Sequence, residues 1–317
     1  MPLLDPVNIC IALVVLAVLA IIAYKTMIVT RSGLLAAFGL GLAIWLLASW
    51  TWFFITFLFF AVTAQFTHYK YKIKRQHDAA QEKGGARDWS NVLANGGLPL
   101  IFVFLSFTLV LILGRTNAYG SMDVGFGLLV IPASTVTSMC FSAFLGALAT
   151  ATADTLATEI GLLNPTPPRL ITKPWKPVPP GTSGGVSLTG ELATFLGTLL
   201  IGGTAAILAA PFWITLFNTT LMPELGTFAP VSIVIVTIVG GTIGCTVDSV
   251  LGATIQSMWF CHHCQKQTEK RVHCSKQTEY LRGNRHLDNH MVNVISCLAG
   301  AITAASLYII LLVLALA

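Results

Sequence analysis

The chain alternates long apolar runs with short polar ones. A helix needs about 20 apolar residues to cross a bilayer. Runs of that kind fall at residues 7–24, 33–48, 50–67, 92–113, 124–152, 187–210, 230–256 and 291–315. The stretch from Gly33 to Phe66 carries no charge and is too long for one span but short for two. It predicts a tight helical hairpin turning near Ser49-Trp50-Thr51, with tryptophans at the interface. A single span or a re-entrant pair there would lower the count from eight to seven. The pattern predicts an all-α polytopic membrane bundle of about eight helices, one integral membrane domain over residues 1–317. Polar loops at 68–91, 153–186 and 257–290 interrupt it.

Composition agrees. Of the 317 residues, 55% are hydrophobic and only 10% charged, where soluble domains carry roughly a quarter charged. The first run, Val7 to Ala23, has no basic stretch ahead of it and no small-residue cleavage site, so it reads as a retained span. Charge fixes the expected orientation. Of the 18 Lys and Arg residues, all but Arg115 lie in the loops on one side of an eight-span chain. Basic residues mark the cytosolic side. Both termini are therefore expected on the non-cytosolic face of an endomembrane such as the endoplasmic reticulum, and the three long loops in the cytosol. The Lys70–Arg75 cluster reads as an anchor on anionic lipid. A nucleic-acid partner is not expected, and the seven cysteines do not suggest a disulfide framework.

Ionisable groups inside spans are costly and point to function by default. Asp154 and Asp248 each belong to a stripe of small or polar residues at helical spacing: Gly146, Thr150, Asp154, Thr158, and Gly241, Gly244, Asp248, Gly252, Gln256. Each aspartate has a glycine eight residues before it and a hydroxyl residue after it, a pattern that fits an internal duplication. Glu159 lies five residues after Asp154, off that face of a straight helix. It joins the same site only if the helix ends or bends first, and Gly161 allows that.

The loops add polar chemistry. Arg87, Asn91 and Asn95 open the fourth apolar run, with the asparagines as caps or facing an anionic head group whose phosphate Arg87 would bind. In the second loop Arg169, Lys173 and Lys176 precede the sequence Pro177-Val178-Pro179-Pro180-Gly181-Thr182-Ser183-Gly184-Gly185-Val186-Ser187. Glycines let backbone amides approach an anion, and Ser187 is placed to cap the sixth span, whose N-terminal dipole favours negative charge. This is a candidate phosphate site, though not a Walker A loop. The third loop holds Cys261, Cys264, His273 and Cys274. A CxxC with a later His and Cys is a candidate zinc set, but its second half lacks the usual spacing. Asp288, Asn289 and Asn293 open the last span as a candidate metal or head-group site.

Together these residues suit Mg²⁺, which binds carboxylates and bridges to substrate phosphates, with Asp154, Asp248 and Asp288 as ligands and Glu159 in support. Phosphoryl transfer requires mainly positioning and charge neutralisation. The segments "GGARDWSNVLANGG", "TADTLATEIG", "PPRLIT", "VPPGTSGGVS", "DSVLGATIQ" and "LDNHMVNVIS", in that order, resemble the transmembrane protein 19 and phytyl-phosphate kinase family over nearly the whole chain. The resemblance implies transfer of a phosphoryl group from a nucleoside triphosphate, CTP or ATP, to a prenyl monophosphate in the membrane. A transporter or scramblase using Asp154 and Asp248, and a non-catalytic membrane protein, are the competing expectations.

Overall fold

The computed structural model describes residues 5–71, 74, 83–116, 121–123, 130–210 and 221–317. Eight α-helices run through them: α1 (Pro6–Lys25), α2 (Arg31–Leu47), α3 (Trp50–His68), α4 (Trp89–Thr116), α5 (Ala133–Gly161), α6 (Leu188–Leu208), α7 (Ala229–Thr254) and α8 (Asn289–Leu316). Seven of these segments are long and apolar enough to cross a membrane; α2, at 17 residues, is the shorter apolar one. The uncharged stretch is a helical hairpin. Helix α2 stops at Leu47 and α3 begins at Trp50.

Helix α5 is the hub, in contact with α3, α4, α6, α7 and α8. Its sequence explains this position. Ala, Gly, Ser and Thr dominate it, and small residues let helices approach closely where lipid gives no hydrophobic drive between them. The hydroxyls cause no desolvation problem, because Ser142, Thr150 and Thr152 each donate to the carbonyl four residues back at 2.7–2.8 Å. The two aspartate-bearing helices pack alike against α8. A Cβ on Gly146 would lie 2.7 Å from Ala304 Cβ of α8, and one on Gly240 would lie 2.9 Å from the same atom. Real Cβ contacts are never so short, so both helices meet α8 through bare backbone. This shared contact sets α5 and α7 at one height. Asp154 and Asp248 each stand eight residues further on, about 12 Å along the helix.

Both ends of α5 depart from the apolar pattern, and it begins at Ala133, not near residue 124. The run at 124–152 predicts a span ending before Asp154, but α5 continues to Gly161, so the loop expected at 153–186 begins as helix. Thr155 Oγ1 donates to Ala151 O at 2.8 Å, so its hydroxyl is satisfied within the helix.

The loops at this end are small β-structures. Residues 169–186 form a three-stranded antiparallel sheet, in order β4 (Lys173–Pro177), β3 (Arg169–Leu170), β5 (Gly185–Val186). Residues 258–282 form a second sheet, in order β10 (Glu279–Arg282), β6 (Met258–Cys261), β7 (Lys266–Thr268), and a hairpin of β8 (Val272–His273) with β9 (Lys276–Gln277). A further hairpin, β1 (Ser121–Asp123) with β2 (Val130–Pro132), precedes α5.

Candidate functional site

The site is built from α5 and α7 upward. The Asp154 and Asp248 carboxyl groups lie within hydrogen-bonding reach of each other. Asp248 Oδ2 also accepts from Ser296 Oγ of α8 at 2.9 Å. Two carboxylates in contact repel unless a proton or a cation lies between them. Asp248 is in that position because α7 has almost no side chains on the seam: a Cβ on Gly244 would sit 2.8 Å from Ser296 O.

The glycine loop closes over the end of α7. Gly184 adopts φ +75°, and a Cβ there would lie 2.5 Å from Ala253 Cβ and 2.6 Å from Ala253 N. Only glycine allows that approach without strain. Ser183 Oγ then donates to Gln256 Oε1 at 2.9 Å. Thr182 and Gly185 amides are engaged within the loop, donating to Pro179 O and Thr182 O at 3.2 and 2.9 Å. Ser187 caps α6, accepting from Gly190 N at 3.2 Å. Arg169 and Lys173 are exposed on the loop's outer side, and Arg169 donates to Pro174 O at 2.9 Å.

A residue that no sequence pattern singled out completes the group. Glu269, between β7 and β8, stands beside Ser183 and Gln256, and its charge acts on both aspartates. Glu269 is half-buried, and loss of solvent pushes its carboxyl above the ordinary glutamate value, with Ser183, Gln256 and Lys270 opposing that shift. Its surroundings in sequence, "CQKQTEKRVH", read as ordinary polar loop. Only the folding of the third loop back over α7 brings it in. Arg282 fixes that fold by donating to Thr254 O and Gly252 O at 3.1 and 3.3 Å, the free carbonyl end of α7. The oxygen donors beside the pair are their own carboxylates and the Ser296 hydroxyl. That set fits a hard cation such as Mg²⁺.

Other residues chosen from the sequence sit elsewhere. Glu159 is 4% exposed and bonded to Lys74 Nζ at 2.6 Å. Lys74 also donates to Phe66 O at 2.6 Å. With α5 unbroken to Gly161, a five-residue step turns Glu159 about 140° from Asp154, into a separate buried ion pair. Arg87 joins that second cluster. Its backbone bridges Ile28 and Thr30, its guanidinium lies 5.1 Å from the Phe60 ring centre, and it is 5% exposed. Burial lowers Arg87 to about 10, with Glu159 opposing, so it stays cationic at neutral pH. Asp288 caps α8, accepting from Met291 N at 3.0 Å, and Asn289 is exposed beside it. Asn91 donates to Asp88 Oδ1 at 3.2 Å. Asn95 accepts from Asn293 Nδ2 at 3.5 Å, which joins α4 to α8. Asn293 O lies 3.1 Å from Ser296 Oγ, so this polar strip leads to Asp248.

A helical bundle with a carboxylate pair at one end and β-lobes folded over it defines a polytopic membrane protein. The chain belongs to the integral membrane protein DUF92 family, whose model matches residues 14–301. It is 29% identical over 300 residues to Protein PGR of Arabidopsis thaliana, covering 94% of this chain and 96% of that one. It is 24% identical over 250 residues to an uncharacterized membrane protein of Methanocaldococcus jannaschii, covering 79% and 84%. It is 26% identical over 244 residues to an uncharacterized membrane protein of Synechocystis, covering 77% and 78%. No solved structure matches.

Proposed function

We propose that this protein is a Mg²⁺- and nucleotide-dependent kinase of a prenyl, phytyl-like monophosphate, working at the cytosolic membrane interface. The observation that carries the reading is the convergence of Asp154 and Asp248 beneath the glycine loop, joined by Glu269 and Ser183. Asp154 and Asp248 would hold Mg²⁺, with the Ser296 hydroxyl beside Asp248. Bound there, the ion would neutralise and bridge phosphate oxygens. Arg169 and Lys173, on the exposed rim, are free to draw nucleotide phosphate from solution. Isoprenoid would lie along the bundle. An apolar cleft lined by Leu16, Ala20, Phe38, Phe57, Phe60 and Gly96 supports a lipid substrate, since it reaches α4 close to Asn95. The bias of basic residues to these loops supports a cytosolic site, with both chain termini on the opposite face.

The test is purified protein in nanodiscs with Mg²⁺ and labelled CTP or ATP against a panel of prenyl monophosphates. Formation of a diphosphate that Asp248→Asn abolishes is the expected result. No transfer to any member by folded protein would overturn it.

One observation favours a second reading, transport. Glu224, just before α7, accepts from Ser138 Oγ at 2.9 Å and from Tyr308 OH at 3.3 Å, while its Oε1 is buried without a partner. Ser138 and Asp154 are 16 residues apart on α5, about 24 Å. A carboxyl at each end of one helix suits ion passage. In liposomes this reading requires solute flux without nucleotide that Glu224→Gln and Asp248→Asn both stop.

A further inference from the structure

The third loop contains a metal set separate from the carboxylates. The Sγ atoms of Cys261, Cys264 and Cys274 and a ring nitrogen of His273 all lie within 4.8 Å of one another. Cys264 Sγ is 3.5 Å and Cys274 Sγ 3.3 Å from His273 Nδ1. A tetrahedral zinc with Zn–S near 2.3 Å and Zn–N near 2.0 Å places its donors about 3.5–3.8 Å apart. The four atoms therefore lie within a span that one zinc ion can bridge. All three cysteines are free thiols.

The backbone is shaped for this set. Among the described residues six non-glycine positions have positive φ, and Gln265, Cys274 and Ser275 are three of them. Such strain persists only where the surroundings impose it. Gln265 ends the turn that follows Cys261 and Cys264. Cys274 and Ser275, at φ 52° and 58°, form the two-residue turn between β8 and β9, a position that favours Asn-Gly. Adjacent residues on a strand point to opposite sides. The left-handed turn instead brings Cys274 back beside His273, which is how a His-Cys pair without conventional spacing supplies two ligands. His262 and His263 are excluded: His262 pairs with Glu279 at 2.6 Å on the surface, and His263 is exposed.

Energetics point the same way. Across residues 258–282 only Met258 and Cys261 are buried. Two side chains cannot offset the entropy of ordering a segment of that size, and small lobes without a core require a staple. Structural zinc supplies that folding free energy outright.

We propose that Cys261, Cys264, His273 and Cys274 bind one zinc ion that folds this loop and so positions Glu269, which lies between the two pairs of ligands. The proposal rests on the loop alone and holds whichever reaction the carboxylates serve.

The experiment measures zinc by mass spectrometry in full-length protein purified in detergent under reducing conditions without chelator. Close to one zinc per chain is expected. Cys264→Ser and Cys274→Ser should lose most of it, His273→Cys should keep it because four thiolates are an equally good set, and Cys10→Ser, in α1, should match the unaltered protein. The loop's basic residues give an independent readout. Chelation should speed tryptic cleavage at Lys266, Lys270 and Arg271 at least tenfold, and zinc should reverse this. Cobalt soaked into the apo-protein should give a thiolate charge-transfer band. Zinc below about a tenth per chain with no cobalt band, unchanged zinc in the cysteine variants, or a Cys261–Cys264 disulfide in the isolated protein would each overturn the proposal.

Discussion

Asp154 and Asp248 face one another at the same height on α5 and α7, close enough for their carboxyl groups to hydrogen bond. The contact is set two turns away, where Gly146 and Gly240 press on the same Gly300–Ala304 stretch of α8. Because like charges in contact cost stability without a cation, Asp154→Asn is expected to melt no lower than the unaltered protein in Mg²⁺-free buffer. The Mg²⁺-induced rise should vanish. At 100 times its dissociation constant a bound ion adds about 2.7 kcal/mol. Thermal melts with and without Mg²⁺ on both proteins check this, and a Mg²⁺ response kept by the variant would remove Asp154 from the ion site.

The Lys74–Glu159 pair predicts structural, not catalytic, phenotypes. Both side chains are about 5% exposed or less. Removing one partner of such a pair leaves a buried charge and costs about 3–5 kcal/mol. Lys74→Met alone should therefore lower the melting temperature strongly, and adding Glu159→Leu should recover most of the loss. Turnover per folded molecule should survive in the double variant. A double variant that is stable but inactive would return Glu159 to the catalytic group.

Gly184 and Gly203 provide a matched comparison. Gly184→Ala combines a left-handed φ, which costs about 1–2 kcal/mol, with overlap on Ala253. It should lift the loop from α7 and cut turnover. A Cβ on Gly203 meets nothing within 4 Å, so Gly203→Ala in the interior of α6 should be neutral or stabilising by up to about 1 kcal/mol. Equal behaviour of the two in melts and assays would rule out the loop's docking as a requirement.

Glu269 predicts a pH dependence. Its carboxyl is raised above the ordinary value by partial loss of solvent, so the folded state holds the proton over a range where the unfolded chain has released it. Stability without Mg²⁺ should then fall as pH rises from about 4.3, the unperturbed glutamate value, and level off above the folded value. Glu269→Gln should flatten this part of the profile. Melting temperatures across pH for both proteins test it, and parallel profiles would mean that Glu269 faces solvent.

Much of the bundle was legible along the chain because membrane burial writes itself into runs of apolar residues. The helical hairpin turned near Ser49, as the charge-free stretch implied. The start and end of α5 were not legible. Its apolar run stops near Thr152, yet Ala, Thr and backbone bonding carry the helix on to Gly161, and that extension separates Glu159 from Asp154.

By itself the sequence determined a membrane bundle, two intramembrane aspartates on small-residue faces, and a glycine loop beside basic residues, because each of these is a local pattern of size, charge or spacing. The tertiary structure decided what meets what. It brought Asp154 to Asp248, drew in Glu269 from a loop with no distinguishing pattern, turned Arg87 and Glu159 into a buried ion cluster with Lys74, and gathered Cys274 beside His273. Those outcomes depend on helix height, on loops folding back over helix ends, and on backbone dihedrals that the order of residues does not display.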